Sequence, residues 1–290
     1  IASLTLINGF GDIFGNMPTS IWVKMGLTSF LWGIGVMMWS KAINHIGLSL
    51  GFSLFIGTII LVGSLLPYIE EGLPATNVLT TILIGLAVVL VGIFANGKAG
   101  LIREKDESNA SEKKEAEGSM VTGILIAVVG GLLATGFSYA NAAGRPYLHE
   151  ACQAAGNAEW ITAVAVMFPI FVSGGIVMPA YFLWQLSHKK AWSKFKTPAF
   201  SKNFVLILIM AIFHYAASAL FAFAAYKLGE SGNTVGYAIF NTSCVVTAIM
   251  SGIITKEWVK ASKKARSLLY FGLACMVIGI LIVAYGNGIS

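Results

Sequence analysis

Charge is scarce in this sequence. Asp, Glu, Lys and Arg make up only 11% of 290 residues, against 57% hydrophobic residues and a mean hydropathy of +0.79. So little polar surface excludes a water-soluble domain and reads as a polytopic membrane protein. The short alternating segments of a membrane barrel are lacking as well. The apolar runs are continuous and about 20 residues long, which makes the class all-α. The three cysteines, Cys152, Cys244 and Cys275, have no CxxC or Cys/His spacing, so neither a metal site nor a disulfide framework is indicated, and no cofactor is expected. His149-Glu150 begins like HExxH, but Gln153 stands where the second histidine would be, which excludes a zinc peptidase. No span carries an Asp or Glu at its centre or a filter-like ring motif, and this disfavours a channel.

What is present is a series of long hydrophobic segments. Spans are predicted near 22–42, 47–69, 78–97, 120–141, 160–187, 203–227, 234–254 and 267–287, eight in all. Ile1 to Ile7 reads as the tail of a further span, so helices are expected before Ile1. Sixteen of the nineteen Lys and Arg residues fall in alternate loops; Lys24, Arg145 and Lys227 lie on the other side. By the positive-inside rule the sixteen face the cytoplasm. The net charge of +6 therefore orients a membrane protein and gives no reason to invoke nucleic acid.

The most polar stretch, 98–119, mixes acids and bases and reads as a solvated cytoplasmic linker between an N-terminal unit, 1–97, and a C-terminal unit, 120–290. The two units repeat. GLAVVLVGI at Gly85–Ile93 matches GLACMVIGI at Gly272–Ile280 with an offset of 187, and Gly47, Gly51, Phe55 and Thr58 match Gly232, Gly236, Phe240 and Ser243 with an offset of 185. Five spans follow residue 120. With two helices before Ile1 the first unit also has five, and an odd number places the second copy upside down. The expectation is a pair of inverted five-helix repeats, ten helices in the full chain, with the substrate site where the repeats meet.

Polar residues are concentrated in SYANAAGRPYLHEAC, Ser138–Cys152, at the end of a hydrophobic segment, and such groups at the rim of a span mark a pathway. Asn141, Tyr139, Tyr237, Asn241 and Thr242 supply neutral donors and acceptors, and Trp32 and Trp39 supply flat apolar faces. That mixture suits a neutral sugar. Arg145, just outside the membrane, could instead meet an anion. His214, near the middle of a span, can take up and lose a proton, as can His149 and Glu150. GLSLG at Gly47–Gly51 has the spacing of a nucleophile elbow but lies at the start of a membrane helix, so an intramembrane serine hydrolase acting through Ser49 is a weak alternative.

In order along the chain, LWGIGVMMWSKAINHIGLSLGFSLFIGTIILVGSLLP (31–67), SYANAAGRPYLHEA, and KEW (256–258) resemble the L-rhamnose/proton symporter family of the drug/metabolite transporter superfamily. The resemblance implies a ten-helix inner-membrane carrier with both ends outside the cytoplasm, in agreement with the charge count. The function expected is secondary active symport of a sugar with protons by alternating access, not enzymatic catalysis. An exporter of another small metabolite or drug on the same fold is the alternative, and an apolar lining, as at Val36 and Met37, would favour it. The partners are then a small-molecule sugar or similar metabolite, protons and the lipid bilayer, with no nucleic acid and with a homodimer left open.

Overall fold

The structure is a computed structural model that describes residues 2–66, 68–108, 119–228, 232 and 234–288. Among these the fold is all-helical. Two short helices, α1 (Ala2–Leu6) and α2 (Phe10–Gly15), precede α3 (Thr19–Leu65) and a single turn, α4 (Tyr68–Glu71). Then come α5 (Thr76–Ser108), α6 (Met120–Ala134), α7 (Gly136–Ala154), α8 (Ile161–Gly175) and α9 (Val177–His188). The series ends with α10 (Phe200–Lys227), α11 (Val235–Ile254) and α12 (Lys263–Gly288). Seven helical segments are long and apolar enough to cross a membrane, with α6–α7 and α8–α9 each counting as one, and Leu50–Leu65 is a shorter apolar helix. The chain is thus a multi-pass helical membrane protein, as its composition indicates.

Helix α3 is two spans joined at Gly47, whose φ of 77° and ψ of 166° leave the helical region. Only glycine adopts that backbone without strain, so the chain turns there with no loop. The boundary expected between 42 and 47 is this bend.

Two polar stretches run on as helix. The first eleven residues of the 98–119 linker, 98–108, are a helical continuation of α5, while 109–118 lie outside the described residues. Lys, Arg and Glu favour a helix as readily as they favour water, so charge alone did not mark the helix end. Likewise Ser138–Cys152, read as lying at the end of a hydrophobic segment, is itself helical. It forms most of α7, with Pro146 inside it, and its four alanines favour the helix. The 35 residues of α6–α7 span about 52 Å, well beyond the roughly 30 Å of a hydrocarbon core.

The most extensive packing joins α5 to α12, through glycine. A Cβ built on Gly85 would lie 3.0 Å from the carbonyl oxygen of Gly279, and one on Gly279 would lie 2.8 Å from that of Gly85. A Cβ on Gly92 would lie 2.6 Å from the carbonyl oxygen of Gly272, and one on Gly272 2.7 Å from that of Gly92. Small residues let two backbones approach this closely in a membrane. Helix α3 packs on α6, α7 and α8, and α11 lies between α3 and α12. Helix α10 differs: from Phe204 to Phe213 its large apolar side chains are exposed all round, a surface suited to lipid.

Candidate functional site

The lysine-rich end of the bundle is open. A cavity of about 330 Å³ lies among α3, α5, α11 and α12, lined by Trp39, Phe52, Asn96, Arg103, Val245 and Trp258 among others. At its rim the Arg103 guanidinium sits 4.7 Å from the centre of the Trp258 ring and 4.0 Å from the Glu257 carboxylate. The one cation among the described lining residues is therefore held by a ring and a counter-charge, which leaves that lining close to neutral. This gives the KEW segment a part beyond an interfacial anchor.

The opposite end is packed shut by aromatic rings. Phe221 lies 5.7 Å from Tyr237 and 4.9 Å from Phe240, and Phe137 stacks on Tyr237 at 6.2 Å. Tyr237 is 3% exposed. At the open end Trp39 lies 5.9 Å from Phe52 and 5.5 Å from Phe55. The offset of 185 that relates Phe55 to Phe240 also relates Phe52 to Tyr237. The same three-ring arrangement thus occurs twice, beside a cavity at one end and capped by Phe137 at the other.

One turn beyond Phe137, α7 carries Asn141, which is fully buried with neither its Oδ1 nor its Nδ2 hydrogen-bonded among the described residues. Thr242 Oγ1 and Ser29 Oγ are buried in the same condition. Each such atom costs about 1–3 kcal/mol unless something supplies its partner. A bound molecule with hydroxyl groups would do so.

The other expected residues divide. Tyr139 and Arg145 are half-buried on α7. Asn241 Nδ2 donates to the carbonyl of Tyr237 one turn earlier in its own helix, 2.9 Å away. Trp32 has its ring packed by Phe137 at 5.4 Å and Phe171 at 5.6 Å, so protein rings already cover it. Trp39, in contrast, lines the cavity. The side chain of Ser49 lies outside the described residues.

His149 and His214 are not brought together. His214 is exposed on α10 with its ring edge-on to Phe171 at 5.8 Å. His149 is half-buried and held at both nitrogens: Nδ1 lies 3.2 Å from Thr162 Oγ1 and Nε2 lies 3.0 Å from the Tyr226 hydroxyl. Tyr226 is also hydrogen-bonded to Glu159, and Lys227 forms an ion pair with that carboxylate. The hydrogen bond from Lys227 is the main cause holding the Glu159 carboxyl below its ordinary value, aided by Tyr226. Glu150 is exposed. Thr162, Tyr226, Glu159 and Lys227 were not singled out from sequence. The clue available was that Lys227 is one of three basic residues away from the lysine-rich loops.

The family model of the L-rhamnose-proton symport protein (RhaT) matches residues 1–289. An L-rhamnose-proton symporter of Yersinia pestis (strain Pestoides F) is 25% identical over 294 residues, covering 98% of this chain and 84% of the relative. One of Salmonella paratyphi A (strain ATCC 9150 / SARB42) is 24% identical over 293 residues, with the same shares covered. No solved structure matches the chain. With the family model spanning nearly every residue of this helical membrane protein, the chain belongs to the L-rhamnose-proton symport protein family, whose members are transporters and not enzymes.

Proposed function

We propose that this chain is an inner-membrane symporter that carries a neutral sugar of the L-rhamnose kind together with a proton. The single observation that carries the sugar part is Asn141, a fully buried amide with both polar atoms unpartnered among the described residues. A sugar hydroxyl can donate to Oδ1 and accept from Nδ2, which an apolar cargo cannot do. Tyr139, Tyr237, Asn241 and Thr242 are the further candidates for its hydroxyls, and Arg145 stands nearer the outer mouth. Trp39, lining the cavity, is a better platform for a C–H face than Trp32, whose ring is covered. His149 is the favoured proton carrier because both ring nitrogens already have hydrogen-bond partners, whereas the His214 side chain has only a ring contact among the described residues.

Transport proceeds by alternating access between two inverted units, 1–97 and 120–290. Two features support this. In the glycine seam, Gly85 meets Gly279, the counterpart of Gly92, while Gly92 meets Gly272, the counterpart of Gly85. Such reciprocal contact is what a two-fold axis across an antiparallel pair produces. The twofold occurrence of the three-ring cluster, uncapped at one end and capped by Phe137 at the other, is the second. With the lysine-rich loops in the cytoplasm, the conformation is inward-open.

The test is uptake of labelled L-rhamnose into proteoliposomes with and without an inward proton gradient, competed by a panel of unlabelled sugars. Gradient-dependent accumulation competed by rhamnose is the expected result. Gradient-dependent uptake competed only by other sugars would retain proton symport and change the cargo. No accumulation of any sugar would overturn the reading in favour of a metabolite exporter.

A further inference from the structure

A line of polar groups at the outer end of α7 leads from the Glu159 carboxylate to a buried hydroxyl. Glu159 lies in the turn between α7 and α8 and is hydrogen-bonded to Tyr226. The Tyr226 hydroxyl is 3.0 Å from His149 Nε2, with the two rings only 4.4 Å apart, and His149 Nδ1 is 3.2 Å from Thr162 Oγ1, which belongs to a residue 2% exposed. His149 stands eight residues beyond Asn141 on the same helix, about 12 Å toward the outer face. We infer that Tyr226 is the relay through which a proton passes between the exposed Glu159 carboxylate and His149, with Thr162 fixing the imidazole to receive it. The inference rests on the proton-symport reading above and names the entry path for that proton.

The step balances with the proton alone. With its hydrogen on Nδ1 and donated to Thr162 Oγ1, neutral His149 presents a lone pair at Nε2 toward the phenol. A proton from the outer solution binds the Glu159 carboxylate, which frees the single phenol hydrogen to point at Nε2 while the new carboxyl O–H donates to the phenol oxygen. The carboxyl O–H then breaks as a bond forms to the phenol oxygen, and the phenol's own O–H breaks as Nε2–H forms. The phenol and the carboxylate are restored, and the positive charge resides on His149. Because Lys227 holds Glu159 ionised, the carboxylate passes a proton on and does not store it. The charged and titratable groups around His149 are Arg145 and Glu150 on its own helix, Glu159 in the turn, and Tyr226 and Lys227 on α10. Asp12 on α2 and Lys24 on α3 belong to elements packed against the same helix.

Tyr226→Phe removes the hydroxyl and keeps the ring against His149. In proteoliposomes of the full-length protein, the readout is the ratio of proton-driven L-rhamnose accumulation to proton-independent rhamnose counterflow, followed across external pH. The ratio is expected to fall on the order of a hundredfold, with its acidic limb displaced. Glu159→Gln, which keeps the size of the side chain in the turn, is expected to lower the ratio in the same direction. An unchanged ratio and pH profile in Tyr226→Phe, or in Glu159→Gln should Tyr226→Phe fail to insert, would overturn the relay while leaving proton symport intact. Wild-type protein that accumulates rhamnose with no response to the gradient would overturn the symport reading itself, and with it the relay.

Discussion

Ser138 Oγ donates a 2.8 Å hydrogen bond to the carbonyl of Gly63, tying α7 to the second span of α3 beside the ring of Tyr237. There is no room between them: a Cβ on Gly63 would lie 2.5 Å from Tyr237 Cε1. Gly63→Ala should therefore cost about 1–3 kcal/mol and push Tyr237 out of its place against Phe137. Faster amide hydrogen exchange over 235–241, together with a lower unfolding midpoint, is the expected result. Wild-type exchange there would show that the aromatic plug does not depend on this contact.

Asn141→Leu separates a binding amide from a structural one. Burying an unpartnered amide costs about 1–3 kcal/mol, and an apolar side chain of similar shape removes that cost. The variant should resist heat as well as or better than the parent while its rhamnose affinity falls about tenfold or more. Reduced thermal stability with unchanged affinity would make Asn141 a packing residue.

The two histidines should behave differently. His149→Gln keeps a polar side chain on α7 but removes the titrating group, and gradient-driven accumulation should drop on the order of a hundredfold. His214→Ala removes only an exposed ring beside Phe171 and should leave the pH profile of uptake as it was. The opposite pattern would move the proton carrier to the middle of α10.

Lengthening the α5–α12 contact should be felt equally from either side. Gly92→Ala and Gly272→Ala each place a methyl less than 3 Å from the other backbone, so each should cost about 1–3 kcal/mol, and by similar amounts. Chemical unfolding in detergent compares them. A large cost at one and none at the other would argue against a reciprocal seam.

Glu159 gives a dependence on acid. Its folded-state value is lowered, so the support its pairing gives to the turn is complete above the ordinary glutamate value of about 4.3 and disappears as pH falls through the lower folded value. Exchange rates of the 155–160 amides should rise in that acid range in the parent protein and show no such step in Glu159→Gln.

The spans were legible in the sequence because lipid imposes length and apolarity on each one independently. The glycine match between 85–93 and 272–280 could likewise be read from the chain, although the two stretches proved to touch as well as to correspond. Asn141 stood out as an amide in an apolar context. The His149 network did not stand out, because Thr162 and Tyr226 lie 13 and 77 residues away. Taken singly, each resembles any hydroxyl or aromatic at a membrane rim. The helical course of 98–108 was hidden for a different reason: its charged residues suit water and helix alike.

The two three-ring clusters are alike but not identical. Trp39 occupies at one end the place that Phe221 occupies at the other, and Phe52 stands where Tyr237 does, with one hydroxyl of difference. If the halves were perfect copies, the unloaded carrier would spend equal time facing each compartment. These substitutions make the two plugs unequal in strength, and each 1.4 kcal/mol or so of inequality shifts the idle population about tenfold toward one side. On the alternating-access reading proposed above, the identity of four aromatic side chains would set how long the empty carrier waits with its door to the cell interior open, and so how readily cargo slips back out.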